Sequence, residues 1–366
     1  MPAFKRRLNA GLRRRTDEGN LVSPTRCRIA ILGFGTVGSA VARRLTGPHA
    51  PLGLELTHIF DRRAHEKSEA LAASRITWTT SIDEVLASDA DVVVETVGGV
   101  EPAADWIRAA LAAGKSVVTA NKQVVARRGA ALLTLAERQG RQLRFEAAVG
   151  GAMPIVRAVG EGLAGDRITR IVAILNGTTN AVLSRMEATG CSLDDAVVDA
   201  RARGWAEADP RVDLDGVDAA AKLSILCALA FGLRVDPDAI PTRTAASVTP
   251  ADFDHARRAG GTIRQIAHAE YDRTASTLTV WVAPTVVARG SIFSRTAGPQ
   301  NAAIISGAHC GEITIAGAGA GGDATAVAIL SDIVAIARDR AAIVPAPVLT
   351  SHFRLQTSDF VLAEAV

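Results

Sequence analysis

The sequence has few aromatic residues, and this limits how its core can be built. Of 366 residues only 4% are Phe, Trp or Tyr, and Tyr271 is the single tyrosine. Hydrophobic residues nevertheless make up 48% of the chain, which excludes a mainly disordered protein. The core must therefore be formed by Ala, Val, Leu and Ile, as in proteins whose helices pack in layers on a sheet.

Cysteines and long apolar runs are also scarce. The four cysteines are far apart and form no C-x-x-C pair, so we expect reduced thiols and a cytoplasmic protein, although an even number permits disulfides. The longest apolar run at a helical spacing is residues 223–233, too short for a membrane-spanning helix, which needs about 20 residues. We therefore expect no membrane partner.

Excess charge of one sign is missing from most of the chain. The net charge is +3, but residues 1–26 carry seven basic and two acidic side chains, which leaves 34 basic and 36 acidic residues for the remainder. Because a domain that binds polyphosphate needs a basic face, this balance argues against nucleic acid as a partner. The basic tail lacks the apolar segment of a secretory signal, and we expect it to be disordered.

Short apolar runs alternate with helical segments in the first 150 residues, and the pattern then changes. Alternation of this kind indicates parallel βαβ units, an α/β fold with a doubly wound sheet. The later half mixes helices with half-exposed strands, which predicts an α+β domain with a mixed sheet. Strands are expected at 28–32, 54–60, 91–96, 116–120, 170–175, 277–282 and 312–316. Helices are expected at 81–87 (with Ser81 as its cap), 101–113, 129–139, 181–188, 193–203, 217–231 and 324–338.

A glycine-rich turn between the first strand and the next helix is typical of Rossmann-type dinucleotide-binding domains. In such turns the first glycine makes the bend, the second admits the pyrophosphate, and the third lets the helix pack closely on the strand. Asp61, at the end of the next strand, would accept hydrogen bonds from a ribose and favour NAD. Arg62 and Arg63 could instead pair with the 2′-phosphate of NADP, so both cofactors remain open. The turn consists of Gly33, Phe34, Gly35, Thr36, Val37 and Gly38.

Ionisable side chains crowd residues 207–222, directly before an apolar helical segment. Asp218 and Lys222 are four residues apart and therefore share one helix face. A partly desolvated lysine has a tunable proton affinity, as a proton donor and acceptor at a carbonyl–alcohol centre requires. The same spacing fits an exposed ion pair at a helix N-terminus equally well.

Two loops at predicted strand ends also carry polar groups. Lys122 follows the fourth strand, at the sheet edge where ligands of α/β proteins bind, although a solvated loop lysine is the alternative. Residues 146–154 offer the Glu146 carboxylate and several carbonyl groups among small side chains. Such oxygens could hold a hard cation, but from the residues alone an interdomain hinge is the better interpretation.

Six segments, in this order, resemble homoserine dehydrogenases. The resemblance covers about residues 27–340, and its most specific part is the stretch at 204–223. It implies the reversible, nicotinamide-dependent reduction of L-aspartate 4-semialdehyde to L-homoserine, in threonine and methionine biosynthesis. Another two-domain oxidoreductase for a different small aldehyde or amino acid is the alternative. The segments are ILGFGTVG (31–38), VVTANKQVVA (117–126), FEAAVGGAMPIV (145–156), ILNGTTNAVL (174–183), GWAEADPRVDLDGVDAAAKL (204–223) and GAGAGGDATAVAILSDI (317–333).

The resemblance also implies roles for single residues. Lys222 would donate the proton to the aldehyde oxygen and take it back in the reverse reaction, and Asp218 would hold and tune this lysine. Lys122 would lie between cofactor and substrate. Glu207 would bind the substrate amino group, assisted by Asp213. The other implied substrate contacts are Gly177 and Thr178.

Further implied sites concern the cofactor and a monovalent cation, usually sodium. Cofactor contacts would include Thr96 and, near the chain end, Gly319 and Gly321, so that the last helix rejoins the first domain. The cation reverses the hinge interpretation of the loop at 146–154. Its implied ligands are Glu146 and the carbonyl groups of Val149, Gly151 and Met153. The family also suggests a homodimer or a dimer of dimers.

These expectations divide the chain into segments. They are a tail (1–26), a dinucleotide-binding domain (27–155), a catalytic and dimerisation domain (156–316), a return to the first domain (317–345) and an extension (346–366). Asp323 stands where the family often has proline, which we interpret as a neutral change. Because few residues follow the last motif, we expect no appended amino-acid-binding domain and weak or absent feedback by threonine.

Overall fold

A computed structural model describes residues 26–51, 53–71, 75–338 and 350–356 of the chain. The expected basic tail, residues 1–25, and most residues after 338 fall outside these ranges. Two six-stranded sheets, here called sheet A and sheet B, form the framework. Within the described ranges, no helix is both long and apolar enough to cross a membrane.

Sheet A is parallel throughout and confirms the expected doubly wound α/β fold. Its strand order is β3-β2-β1-β4-β5-β6, the order of dinucleotide-binding sheets. Strands β4 and β5 are buried at every residue, because helices cover both faces of a parallel sheet. The strands are β1 (Cys27–Leu32), β2 (Leu54–Phe60), β3 (Thr77–Thr79), β4 (Val92–Glu95), β5 (Ser116–Thr119) and β6 (Leu143–Arg144). The helices are α1 (Thr36–Thr46), α2 (Ala64–Lys67), α3 (Ile82–Ala87), α4 (Ala103–Ala112) and α5 (Lys122–Arg138), with a 3₁₀ turn at Ser68–Ala70.

Sheet B is mixed and confirms the α+β character of the second half. Its order is β11-β10-β7-β8-β9-β12, antiparallel except where β12 runs parallel to β9. The strands are β7 (Ile168–Ile174), β8 (Gly261–Asp272), β9 (Thr277–Ala288), β10 (Gln300–Gly307), β11 (Gly311–Ala318) and β12 (Arg354–Gln356). The helices are α6 (Ile155–Arg157), α7 (Gly177–Thr189), α8 (Leu193–Ala202), α9 (Arg211–Leu214), α10 (Val217–Phe231), α11 (Pro250–Arg258) and α12 (Ile292–Arg295). Short turns of 3₁₀ or π type lie at Glu146–Ala148, Ala158–Gly162, Pro237–Ala239 and Ala245–Ser247.

The last long helix, α13 (Gly322–Ala337), leaves sheet B and packs against sheet A. Its fully buried Ile329 and Ile333 share a core cluster with Ala40 and Val41 of α1. The expected return of the C-terminal helix to the first domain is thus confirmed, because its apolar face is buried there rather than against sheet B.

Helix α5 begins seven residues before the expected start at 129. The side chain of Asn121 accepts a hydrogen bond from the N–H of Val124 at 3.2 Å and so caps the helix. The two valines that follow Lys122 resemble a strand in sequence, but this cap starts the helix before them. Lys122 is therefore the first helical residue, not a loop residue. Ser81, by contrast, precedes α3 without forming the expected side-chain cap.

Strands β3, β6, β8, β10 and β12 were not expected from the sequence. β3, β6 and β12 have only two or three residues, too few for a periodic pattern. β8 is long, but Arg264 and Gln265 are buried in its middle and interrupt the alternation of apolar and polar residues. Pairing with β9 and hydrogen bonds to neighbouring carbonyl groups therefore determine β8, and these are not visible in the sequence.

Two substitutions on α13 test its packing on sheet A. Ile329→Ala removes a fully buried side chain and is expected to lower the free energy of unfolding by about 2–5 kcal/mol. Val327→Ala, on the same helix at 42% exposure, should change it by less than about 0.5 kcal/mol. Urea unfolding measures both, and equal effects would contradict the packing described.

Candidate active site

The glycine-rich turn is fixed to the end of β2 through Asp61. The carboxylate accepts hydrogen bonds from the N–H of Phe34 at 2.9 Å and of Arg63 at 2.9 Å, and from Lys67 Nζ at 2.7 Å. Burial would raise the pKa of Asp61, but these hydrogen bonds outweigh burial and the pKa is lowered. Lys67, which the sequence pattern did not single out, thus places a positive charge beside the expected ribose position.

The third glycine of the turn is required by close packing. A Cβ at Gly38 would lie 1.9 Å from the carbonyl oxygen of Gly33 and 2.9 Å from Thr96 Oγ1. Thr96 Oγ1 lies 2.9 Å from the same carbonyl and links the β4 loop to the turn. At Gly35, within the described part of the chain, an added Cβ would meet no atom closer than 4 Å. The turn is therefore open at its second glycine, where a pyrophosphate would approach.

Two loops that are distant in sequence converge beside this turn. A Cβ at Gly322 would lie 2.9 Å from the carbonyl oxygen of Thr36. A Cβ at Gly151 would lie 2.7 Å from the carbonyl oxygen of Gly319, and one at Gly319 would overlap Asn301. The absence of side chains at these glycines thus brings the C-terminal glycine turn, the loop at 146–154 and the cofactor turn together.

Asp218 joins the two lysines that the sequence singled out. Its Oδ1 lies 2.9 Å from Lys122 Nζ and its Oδ2 lies 2.6 Å from Lys222 Nζ. The carboxylate is 4% exposed and Lys222 is 12% exposed, whereas Lys122 is 38% exposed. Lys222 Nζ also donates to the carbonyl oxygen of Leu175 at 2.8 Å. The pair Asp218–Lys222 is thus buried, not a solvated ion pair on a helix surface.

The charges of this cluster determine its protonation. Burial would raise the pKa of Asp218, but the charges of the two lysines outweigh burial, and the pKa is lowered. In return the charge of Asp218 raises the pKa of Lys122, against the effect of burial. Burial and the Asp218 charge raise the pKa of Asp213. The cluster therefore holds an ionised Asp218 between two lysines, with a less acidic Asp213 nearby.

Asn176 connects the two aspartates and was not among the residues expected from the sequence. Its Nδ2 donates to Asp213 Oδ1 at 2.7 Å and to Asp218 Oδ2 at 2.8 Å. Its Oδ1 accepts from the N–H of Thr179 at 2.8 Å and caps α7. Asn176, the first residue of the motif N-G-T-T-N, is a typical helix cap in sequence. Sequence spacing does not show which two carboxylates its side-chain amide joins.

The remaining expected substrate residues lie around this cluster. A Cβ at Gly177 would lie 2.8 Å from the carbonyl oxygen of Pro299, so only glycine fits the first turn of α7. Thr178 Oγ1 donates to the carbonyl oxygen of Trp205 at 2.7 Å and ties α7 to the segment that carries Glu207. Glu207 is exposed, and its charge contributes to the raised pKa of Lys122.

The loop at 146–154 is held by buried charges rather than being a free hinge. The two carboxylate oxygens of Glu146 accept the N–H groups of Val156 at 2.9 Å and Arg157 at 2.8 Å. Its own N–H donates to Asp332 Oδ2 of α13 at 2.9 Å. Burial, with the charge of Asp332, raises the pKa of Glu146 to about 7. Because the Glu146 carboxylate is engaged by α6, the loop offers a cation mainly carbonyl oxygens.

Comparisons with known proteins decide the family. A model described as the NAD-binding domain of homoserine dehydrogenase matches residues 33–146, and one described as homoserine dehydrogenase matches residues 154–334. The homoserine dehydrogenase of Mycobacterium tuberculosis is 38% identical over 325 residues, which cover 85% of this chain and 72% of that protein. The chain belongs to the homoserine dehydrogenase family. Its activity is the reversible, nicotinamide-dependent reduction of L-aspartate 4-semialdehyde to L-homoserine.

Solved homoserine dehydrogenases share the fold. The crystal structure of the enzyme from Thiobacillus denitrificans matches with a TM-score of 0.82 and 33% identity, over 90% of this chain and 79% of that chain. A hyperthermophilic archaeal homoserine dehydrogenase in complex with NADPH matches with a TM-score of 0.73 and 27% identity, over 86% of this chain and 99% of that chain. The resemblance expected from the six sequence segments is confirmed, and the alternative of another two-domain oxidoreductase for a different small aldehyde or amino acid is set aside.

The open side of the cofactor turn gives a specific test. Gly35→Ala should leave the free energy of unfolding unchanged within about 0.5 kcal/mol, because the added Cβ meets no atom. The same methyl group stands where the pyrophosphate approaches and should weaken cofactor binding about tenfold or more.

Gly165→Ala serves as the matched control, since an added Cβ is equally free there and the residue is distant in sequence from the turn. Fluorescence titration with reduced cofactor measures the affinities. Wild-type affinity in Gly35→Ala would contradict the expected cofactor position.

Proposed function

We propose that Lys222 is the proton donor and acceptor of this homoserine dehydrogenase. The observation that carries the proposal is the bridge of Asp218 between Lys222 and Lys122 at 2.6 and 2.9 Å. Two bonds, to Asp218 and to the Leu175 carbonyl group, fix the Lys222 ammonium and leave its third N–H for the substrate. A lysine held in this way is preorganised for one proton transfer.

A bound reduced nicotinamide cofactor supplies the hydride to the carbonyl carbon of the semialdehyde. The residues that would hold it are those of the turn at 33–38, with Thr96, Lys122, Gly319 and Gly321. As negative charge develops on the carbonyl oxygen, Lys222 donates a proton to it, and Lys122 adds a second positive charge. In the reverse direction Lys222 takes the proton of the homoserine hydroxyl group.

The substrate is an amino acid, and the cluster offers partners for its charged groups. We assign the amino group to Glu207 and Asp213, because both carboxylates border the lysines without a lysine bond of their own among the described contacts. The backbone of Gly177 and the hydroxyl group of Thr178 lie at the first turn of α7, where free N–H groups favour an anion such as the substrate carboxylate. The charges of the site are thereby local and paired.

The ribose end of the cofactor site supports either NAD or NADP. Asp61 could accept a ribose hydroxyl group, as the sequence suggested for NAD, although three donors already occupy it. Lys67, with the exposed Arg62 and Arg63, could instead pair with a 2′-phosphate. The proposed cofactor is therefore NAD or NADP.

A monovalent cation, sodium by resemblance, is proposed at the loop of residues 146–154. Gly150 and Gly151, at φ of +81° and +63°, turn this loop, and no described group of three or more His, Cys, Asp or Glu side chains could hold a metal ion. Glu146 and the carbonyl oxygens of Val149, Gly151 and Met153 suit a singly charged hard ion. Replacing choline by sodium at constant ionic strength should raise both the melting temperature and the activity, and no change in either would contradict the proposal.

We further propose a cytoplasmic homodimer or dimer of dimers with the domain limits given by the sequence. All four cysteines are free thiols, as a reducing compartment favours. The change from sheet A to sheet B between β6 and β7 supports a boundary near residue 155, and the return of α13 supports one near residue 317.

Lysine substitutions test the assignment of the proton donor. Lys222→Ala should lower kcat by at least about 100-fold, because proton transfer is lost, and leave the cofactor Kd within about twofold. Steady-state kinetics with L-homoserine and fluorescence titration of the cofactor measure the two.

Lys115→Ala is the control. Lys115 is also buried, but it donates to the carbonyl groups of Ser88 and Ala90, on the first domain. This variant should lose stability and keep kcat. A wild-type kcat in Lys222→Ala would contradict the proposal.

A further inference from the structure

A buried carboxylate lies at the carboxyl end of the central strand β4 of sheet A, next to the cofactor turn. Glu95 ends β4 and is fully buried, with 0% exposure. The apolar run around it predicts a strand but gives no reason for a charged side chain. Burying a carboxylate is unfavourable unless hydrogen bonds replace its water, so the contacts of Glu95 indicate what it holds in place.

One oxygen of Glu95 holds the loop that follows β4. Its Oε1 accepts hydrogen bonds from the N–H of Val97 at 2.8 Å and of Gly98 at 3.2 Å, and a longer one from Asn121 Nδ2 at 3.5 Å. This loop begins with Thr96, whose Oγ1 lies 2.9 Å from the carbonyl oxygen of Gly33 in the cofactor turn. The position of the β4 loop against the cofactor turn therefore depends on Oε1.

The other oxygen reaches the loop that follows β5. Oε2 accepts a hydrogen bond from Thr119 Oγ1, which itself accepts one from the N–H of Asn121 at 3.0 Å. Asn121 donates from Nδ2 to the carbonyl oxygen of Gly99 at 2.7 Å and caps α5, whose first residue is Lys122. A continuous set of hydrogen bonds thus runs from Oε2 through Thr119 to the backbone N–H of Asn121, the residue before Lys122.

We propose that Glu95 is a positioning residue that sets the cofactor turn and Lys122 relative to each other. It is too deeply buried to touch substrate or cofactor, so it acts through the two loops. The part that concerns Lys122 rests on the function proposed above for that residue, whereas the part that concerns the cofactor turn does not. Displacements of about 1 Å at reacting groups can lower rates about 100-fold, so small shifts of these loops matter.

The two oxygens can be tested separately because their donors differ. In Glu95→Gln the amide oxygen can still accept the two N–H groups, but the amide nitrogen cannot accept from Thr119, so the buried hydroxyl hydrogen loses its charged acceptor. We expect the cofactor Kd of Glu95→Gln to stay within about threefold of wild type while kcat falls about tenfold. Glu95→Ala loses both sets of bonds and should raise the cofactor Kd about tenfold in addition.

Thr119→Val removes the donor to Glu95 and also the acceptor of the Asn121 N–H, so its kcat should fall at least as far as in Glu95→Gln. The double variant should be no worse than Thr119→Val, since the bond between Glu95 and Thr119 is already lost there. Thr285→Val is the matched control, because Thr285 is also buried in a strand, while its hydroxyl donates to the Ala283 carbonyl group of its own strand and, within the described ranges, bonds to no other residue. Both kcat and Kd should stay at wild type.

Steady-state kinetics, cofactor titration and melting temperatures on the full chain decide the outcome. A wild-type kcat in both Glu95→Gln and Thr119→Val, or additive losses in their double variant, would overturn the Lys122 part. A wild-type cofactor Kd in a folded Glu95→Ala would overturn the cofactor part. If that variant does not fold, Glu95→Asp takes its place with the same expectation, because its shorter side chain cannot reach both loops.

Lys122→Ala separates this proposal from the proposed function. A wild-type kcat in Lys122→Ala would refute the role of Lys122, while the cofactor Kd of the Glu95 variants would still test the role of Glu95.

Discussion

The active site depends on one buried carboxylate that is shared by two lysines. Asp218 is withdrawn from solvent and remains ionised, because Lys222 and Lys122 contact its two oxygens and Asn176 adds a third donor. Removing Asp218 would leave the Lys222 ammonium, which is 12% exposed, without its carboxylate, and an unpaired buried charge costs more than the pair contributes. The bridge also spans the two halves of the chain, since Lys122 belongs to the helix after β5 and Asp218 to a helix packed on sheet B. The site is therefore complete only when the helix that carries Lys122 and the helix that carries Asp218 are in contact.

Glycines allow the loops around the site to approach one another closely. At Gly38, Gly151, Gly177 and Gly319 an added Cβ would approach backbone or side-chain atoms within 3 Å. These glycines let the cofactor turn, the loop at 146–154, the first turn of α7 and the entry to α13 approach one another. Asp332 then ties α13 to Glu146 and Arg157. Close backbone contact and a few buried ion pairs thus replace the bulky aromatic residues that the sequence lacks.

Much of this could be predicted from the sequence. The glycine turn, the strand that ends at Asp61 and the Asp218–Lys222 spacing follow from local patterns, and these also predicted the α/β fold. The partners that depend on long-range contacts could not be predicted. The spacing of Asp218 and Lys222 fits a surface ion pair and a buried one equally well. The structure shows a buried pair, with hydrogen bonds from Asn176 to Asp218 and from Lys222 to the Leu175 carbonyl group. The bond between Glu95 and Thr119 and the contact of Gln265 in β8 with Leu214 were missed for the same reason, because the partners are 24 and 51 residues apart. Lys67 is only six residues from Asp61, but the dinucleotide-binding pattern gives that position no role.

The most direct test of the central claim is a crystal structure of the chain with L-homoserine and oxidised cofactor bound. We expect the homoserine hydroxyl oxygen within about 2.6–3.2 Å of Lys222 Nζ, while Asp218 still contacts Lys222 and Lys122. A hydroxyl group bound out of reach of Lys222, or hydrogen-bonded to another proton donor instead, would contradict it.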